Sequence, residues 1–212
     1  MAHRVRRPLL AAALLGPLAL ASLTGCGGAA PEAAAPPYVA ETSAAPAPAT
    51  ASAPAAATPV APLPASEPVR VRIASAGVDA SPVLKLGLAA DGSVQVPSVA
   101  DGDKIGWYDK GVTPGETGPA VLIGHFDTAR GPAVLRDVSR VHTGDQITVT
   151  RADGTDAVFR VRELEQVDKG HFPTAKVYGD TARPELRVIT CGGEIADGHR
   201  PDNIILYADL VG

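Results

Sequence analysis

The chain has 212 residues, is 45% hydrophobic and 20% charged, and carries a net charge of −4, which disfavours a nucleic-acid ligand. Its length allows one or two domains, but the apolar residues are unevenly spread, so only part of the chain has the composition of a folded core. Two cysteines and five histidines are few enough that each can be weighed individually.

The first residues carry Arg4, Arg6 and Arg7, followed by an uncharged, Leu- and Ala-rich run from Pro8 to Leu23. A basic region followed by an apolar one is the layout of a secretory signal, so export is expected. The run ends at Leu23-Thr24-Gly25-Cys26, which resembles a bacterial lipobox, with residues 1–26 as the signal and Cys26 as the lipid-bearing anchor. The alternative is an uncleaved membrane helix from Pro8 to about Ala30, since about twenty apolar residues suffice to span. Both place the remainder on the outer face of the cell membrane.

Residues 27–67 are dominated by Ala, Pro, Ser and Thr, with Glu32 and Glu41 the only charges between residues 29 and 66. Such a segment has too little bulky apolar surface to offset chain entropy and is expected to be a disordered spacer. A spacer of this length would reach about 35 Å as a coil and up to about 120 Å as extended polyproline. Residues 68–212 then form one domain.

Within that domain, short apolar or alternating runs are separated by turn residues, which predicts an all-β fold. The expected strands are Val69 to Ala74, Pro82 to Leu86, Ser93 to Val96, Ile105 to Tyr108, Ala120 to Ile123, Gln146 to Thr150, Ala157 to Val167, Glu185 to Thr190 and Asn203 to Leu210. The clearest unit is a hairpin over Gln146 to Val161, turning at Ala152-Asp153-Gly154-Thr155, where Asp-Gly tolerates positive φ. One short helix is expected at Ala133 to Arg140. So many short strands favour a closed or nearly closed barrel, which removes unpaired edges.

Lipidation of Cys26 would leave Cys191 without an intramolecular partner in an oxidising compartment, which suggests chemistry, although a buried inert thiol has the same count. The run Ala120 to Gly124 leads directly into His125, and Leu186 to Thr190 leads into Cys191. Arg200 lies in the polar loop Gly192 to Asp202, before the last strand. If the Cys191 strand runs antiparallel to the last strand and parallel to the His125 strand, one rim collects a thiol, an imidazole and a guanidinium. That set suits acyl transfer: nucleophile, proton donor and oxyanion partner. Gly192 and Gly193 would let a substrate backbone approach the thiol.

Gly124-His125-Phe126-Asp127-Thr128, Thr190-Cys191-Gly192-Gly193 and Asp202 to Ala208 resemble the sortases, and especially their actinobacterial class F (class E/F) branch. The resemblance covers nearly everything after Pro68. It implies a closed eight-stranded β-barrel with short helices and a cysteine transpeptidase that needs no cofactor. Its partners would be an LPXTG-like sorting-signal peptide, cleaved after Thr through a thioester, and an amine acceptor on the cell wall or another protein. It assigns Cys191 as nucleophile, His125 as catalytic histidine and Arg200 as the third catalytic residue. The alternatives are a sorting-signal endopeptidase acting by hydrolysis and an inactive lipid-anchored binding module. The chain departs from the family in having Arg187-Val188-Ile189 where Thr-Leu-any is common, in the distance of Arg200 from the last strand, and in its lipobox.

Other polar residues have plainer readings. Asp127 is read as shaping the turn with Thr128, although it could orient His125. His142, His171 and His199 show no metal-ligand spacing and are read as surface residues. Trp107 and Tyr108 are read as packing residues.

Overall fold

The computed structural model describes residues 60–196 and 198–212, so the expected signal, Cys26 and most of the expected spacer lie outside the described residues. Among the described residues no helix is long and apolar enough to cross a membrane.

The domain is built from eleven strands: β1 (Pro68–Ile73), β2 (Val78–Ala80), β3 (Leu84–Leu86), β4 (Ile105–Tyr108), β5 (Gly118–Gly124), β6 (Asp127–Thr128), β7 (Gly131–Pro132), β8 (Gln146–Arg151), β9 (Asp156–Asp168), β10 (Pro184–Gly192) and β11 (Asp202–Leu210), with one short helix, α1 (Thr174–Tyr178). Nine of them form one sheet in the order β2-β1-β8-β9-β11-β10-β5-β4-β3, and β6 pairs with β7 separately. The all-β expectation therefore stands. The closed eight-stranded barrel does not match this ladder, which has nine strands and ends at β2 and β3.

Those two end strands are consecutive in sequence, joined only by Ser81, Pro82 and Val83. Four Cα–Cα steps span at most about 15 Å, so the sheet has to curl until its edges nearly meet. A covalent connection, rather than a ladder, bridges the gap.

The curl encloses the main core, which draws on nearly every strand of the sheet and includes Ile73, Leu122, Val149, Phe159, Leu186 and Leu206. β5 and β10, paired in parallel at the middle of the sheet, are almost wholly buried and correspondingly rich in branched apolar residues. Their second face carries Val121, Ile123 and Ile189, which join Ile205 and Tyr207 of β11 in a smaller cluster, and Val177 of α1 is buried there too. This second apolar face carries the site described below.

The β8–β9 hairpin forms as expected. Gly154 has φ +83°, and Asp153 accepts hydrogen bonds from the Thr155 backbone at 3.0 Å and hydroxyl at 2.7 Å. Two other expectations fail. Val134 N–H donates to Gly102 and Leu135 N–H to His125, so the segment expected as a helix over 133–140 spends those N–H groups on distant carbonyls and keeps only a single turn at Val138–Arg140. Burial of Leu135 and Val138 in the core outweighs so short a helical pattern. Ser93 to Val96 is irregular chain after a turn at 90–91, with one bridge, Leu88 to Val94, and is not a strand.

The domain also begins before Pro68. Leu63 N–H donates to Gly115 at 2.8 Å, Ser66 N–H to Thr113 Oγ1 at 2.9 Å, and the buried Arg151 guanidinium donates to the Pro64 carbonyl. Residues 60–67, assigned above to the spacer, thus satisfy polar groups of the folded unit.

Candidate active site

β5 delivers His125 one residue beyond its end, and β10 carries Cys191 at its penultimate position. The parallel register pairs Leu122 with Val188 and Ile123 with Ile189. Two further steps bring His125 level with Cys191, on the face shared by Ile123 and Ile189, because side chains alternate along a strand. On the other side β11 runs antiparallel to β10, with Asn203 directly opposite Cys191. The strand directions needed to gather the thiol and the imidazole on one rim are therefore the observed ones.

Local packing fixes both strand ends. A Cβ on Gly124 would lie 2.9 Å from side-chain carbons of Val134 and Leu135, so glycine is required immediately before His125. The His125 carbonyl in turn accepts from Leu135 N–H at 2.9 Å. After the thiol, a Cβ on Gly192 would meet Ile204 Cγ1 at 2.7 Å, and Gly193 has φ +79° beside the Asp202 carboxylate. These two glycines are therefore required by their own neighbours.

His125, Cys191 and Asn203 share one cavity of about 1150 Å³. Its floor is apolar, formed by Val121, Ile123 and Ile189, with Leu88, Val94 and Val96 from one loop, Phe172 before α1 and Tyr178 at the end of α1. Tyr108 also lines it, in edge contact with Tyr178 at 6.2 Å, so this tyrosine belongs to the groove as well as to the packing. Trp107 is buried and donates to the Val112 carbonyl at 3.0 Å, as a packing residue should.

His125 Nε2 lies 2.7 Å from the Pro97 carbonyl oxygen. A carbonyl only accepts, so Nε2 carries a proton and, in the neutral ring, Nδ1 holds the lone pair. Nδ1 is thus the nitrogen available for proton exchange with a neighbouring group.

Arg200 is near this rim but does not line the cavity. Its Nε and Nη2 both donate to Asp127 Oδ2, at 3.0 and 2.6 Å, and its Nη1 donates to the Gly193 carbonyl. The guanidinium also lies 4.4 Å from the Phe126 ring centroid, while Arg136 lies over the same ring at 4.7 Å. Asp127 is consequently the counter-ion of Arg200 more than a turn residue. The hydrogen bonds from Arg200 hold its carboxyl below the ordinary aspartate value, and the charges of Arg200, Arg136 and His125 act the same way. Arg200 is held above its ordinary value, first by those bonds and, against the opposing effect of desolvation, by the charge of Asp127.

Sequence reasoning missed Asn203, Pro97 and the Asp127 partnership. Asn203 was within reach, since counting both strands from the loop puts it across from Cys191. His142 and His171 are exposed at the surface, as is His199. Among the described residues no group of three or more His, Cys, Asp or Glu side chains could hold a metal ion.

A thiol, an imidazole with a directed proton and an apolar peptide-sized groove can together support acyl transfer. The family model that matches the chain is that of the sortase domain, over residues 71–211. No curated protein matches the chain. Solved structures of similar fold include sortase C-1 of Actinomyces oris (TM-score 0.53, 19% identity, covering 69% of this chain and 76% of that one). A sortase D5 transpeptidase of Clostridium perfringens gives a TM-score of 0.51 at 19% identity, covering 69% and 79%. Sortase A of Corynebacterium diphtheriae gives 0.52 at 16%, covering 69% and 62%. At these identities the likeness to each structure is one of fold.

Proposed function

This chain belongs to the sortase family, whose members are generally cysteine transpeptidases acting on sorting signals, and on that premise we propose that it cleaves an LPXTG-like signal after Thr and transfers the acyl group to an amine. The observation that carries this reading is the shared cavity of Cys191 and His125 at the ends of two parallel strands. Cys191 passes its thiol proton to His125 Nδ1 as Sγ adds to the threonine carbonyl, and the tetrahedral intermediate collapses to a thioester as the C–N bond breaks. The leaving amine takes its proton from His125, and an incoming amine returns one to His125 as it displaces the sulfur. The apolar floor suits the Leu-Pro end of the signal.

Arg200 completes the set as a fixed positive charge. In the arrangement observed its Nη1 ties the Gly193 carbonyl in place, two residues after Cys191. Gly124 to Thr128, Thr190 to Gly193 and Asp202 to Ala208 support the class E/F branch. The basic and apolar amino-terminal run ending at Cys26 supports a lipid-anchored, extracytoplasmic protein.

Incubation of the protein with an LPXTG-containing peptide should give a Cys191 thioester detectable by mass spectrometry, and product ligated to added amine. Cys191→Ala should abolish both. Wild-type protein that forms neither adduct nor cleaved peptide would sink the proposal, and cleavage unaffected by amines would reduce it to hydrolysis.

A further inference from the structure

Arg200, the third partner expected from the sequence, spends three of its five N–H donors on Asp127 and Gly193, and its side chain does not line the cavity. An oxyanion formed at Cys191 needs a donor within hydrogen-bond distance of that oxygen and not only a positive field.

Asn203 meets that requirement by register. It is the Cα partner of Cys191 across the β10–β11 ladder, and residues directly opposite in an antiparallel pair have Cβ atoms about 4.5–5.5 Å apart on the same face. Both line the cavity with His125. The carboxamide nitrogen extends roughly 2.5 Å beyond Cβ, which brings it within reach of an oxygen on the carbon bonded to Sγ. Asn203 is half-buried, and none of the side-chain hydrogen bonds described above engages its amide.

We propose that Asn203 is a catalytic residue whose side-chain Nδ2–H donates to the oxyanion formed when Cys191 attacks the acyl carbonyl. The inference rests on the acyl-transfer reading. As the S–C bond forms, the carbonyl π pair moves onto oxygen and Asn203 hydrogen-bonds to it while keeping both protons. The pair returns as the C–N bond breaks, and the leaving amine takes its proton from His125. Arg200 acts one step back, as a positioning residue for the segments after His125 and Cys191. A neutral donor fits this place, because it stabilises developing charge without fixing a cation in an apolar groove.

The test uses the full-length protein in detergent, with Asn203→Ala and with Asn203→Leu, which keeps the shape but removes the donor without adding a charge. Two acyl substrates, an LPXTG peptide and p-nitrophenyl acetate, are compared with iodoacetamide, which alkylates the thiol by displacement and forms no oxyanion. The expected result is an acylation rate about a hundredfold lower in both variants, with alkylation and melting temperature close to wild type. Acylation retained within about threefold of wild type in either folded variant would overturn the proposal, because losing a true oxyanion donor costs far more. A parallel fall in alkylation would also overturn it, since that places the defect in the thiol. Should Asn203→Ala fail to fold, the isosteric Leu variant decides. Wild-type acylation by the ester but not the peptide removes the sorting-signal reading while leaving Asn203 testable, and inertness to both removes both.

Discussion

Arg200 places two nitrogens, Nε and Nη2, on the same oxygen of Asp127, Oδ2, at 3.0 and 2.6 Å. Asp127 stands two residues after His125, and Gly193, whose carbonyl receives the third guanidinium nitrogen, stands two residues after Cys191. One side chain thus ties together the segments that follow the two proposed reacting groups.

Because that tie is a unit, its parts should behave non-additively. Arg200→Ala and Asp127→Ala are each expected to lower kcat/KM about tenfold, with the double variant no worse than the poorer single one. A double-mutant cycle measures this. If Arg200→Ala instead costs a hundredfold or more and Asp127→Ala costs little, Arg200 itself contacts the oxyanion.

The same pair has a defined pH dependence. The Asp127 carboxyl is held below its ordinary value of 3.8, first by hydrogen bonds from Arg200, so the folded state binds fewer protons than the unfolded state in the window between the two values. Its stabilisation is full above about pH 4 and is lost as pH falls through the lower, folded value. The difference in melting temperature between wild type and Asp127→Asn should therefore be constant near neutrality and shrink only in strong acid. A difference that fades between about pH 8 and 5 would assign the effect to another group.

Arg187 is 1% exposed, donates to Glu185 at 2.7 Å and lies 4.8 Å from the Tyr207 ring centroid. Burial works against the Glu185 charge, but Arg187, Arg162 and Arg183 together hold its carboxyl below the ordinary value. Arg187→Ala leaves a buried carboxylate short of one partner and removes a large packed side chain. A loss of about 3 kcal/mol is expected in urea unfolding, the low end for a broken buried pair because two arginines remain.

Gly193→Ala sets a side chain at φ +79° and within 2.9 Å of Asp202 Oδ2. Backbone strain of this kind costs on the order of 1–3 kcal/mol. Relief of that strain would move the Gly193 carbonyl away from Arg200, so turnover should fall further than stability does. Parallel measurements of kcat and melting temperature distinguish this from simple unfolding.

Residues 60–67 supply the carbonyl that Arg151 uses and place Leu63 against the core. A chain starting at Pro68 is expected to melt roughly 5–10 °C lower than one starting at Val60, through about 2–3 kcal/mol of lost contacts. Equal melting temperatures would show that the segment is dispensable.

The parts legible in the sequence are those with local or periodic causes. The β8–β9 hairpin was readable because its residues alternate and Asp153-Gly154 can turn. His125 and Cys191 were readable because each sits where an apolar strand meets polar chain. Partnerships between distant residues were not, and Arg200 and Asp127 lie 73 positions apart. Pro97 holds His125 through a backbone carbonyl, which has no side-chain signature at all. The five residues of α1 are too few to show helical periodicity, while the expected helix over 133–140 gave way to burial of Leu135 and Val138. The three-residue β2 left the strand number, and hence the ladder, undetermined.

The short link from β2 to β3 also bears on how copies of the domain meet one another. An open sheet offers its outermost strands as templates for neighbouring molecules, yet here each outermost strand is only three residues long. The link holds them side by side, so an incoming strand would find few free backbone groups and little room. At high concentration the domain is thereby guarded against strand-by-strand association, with no ladder needed to close the ring.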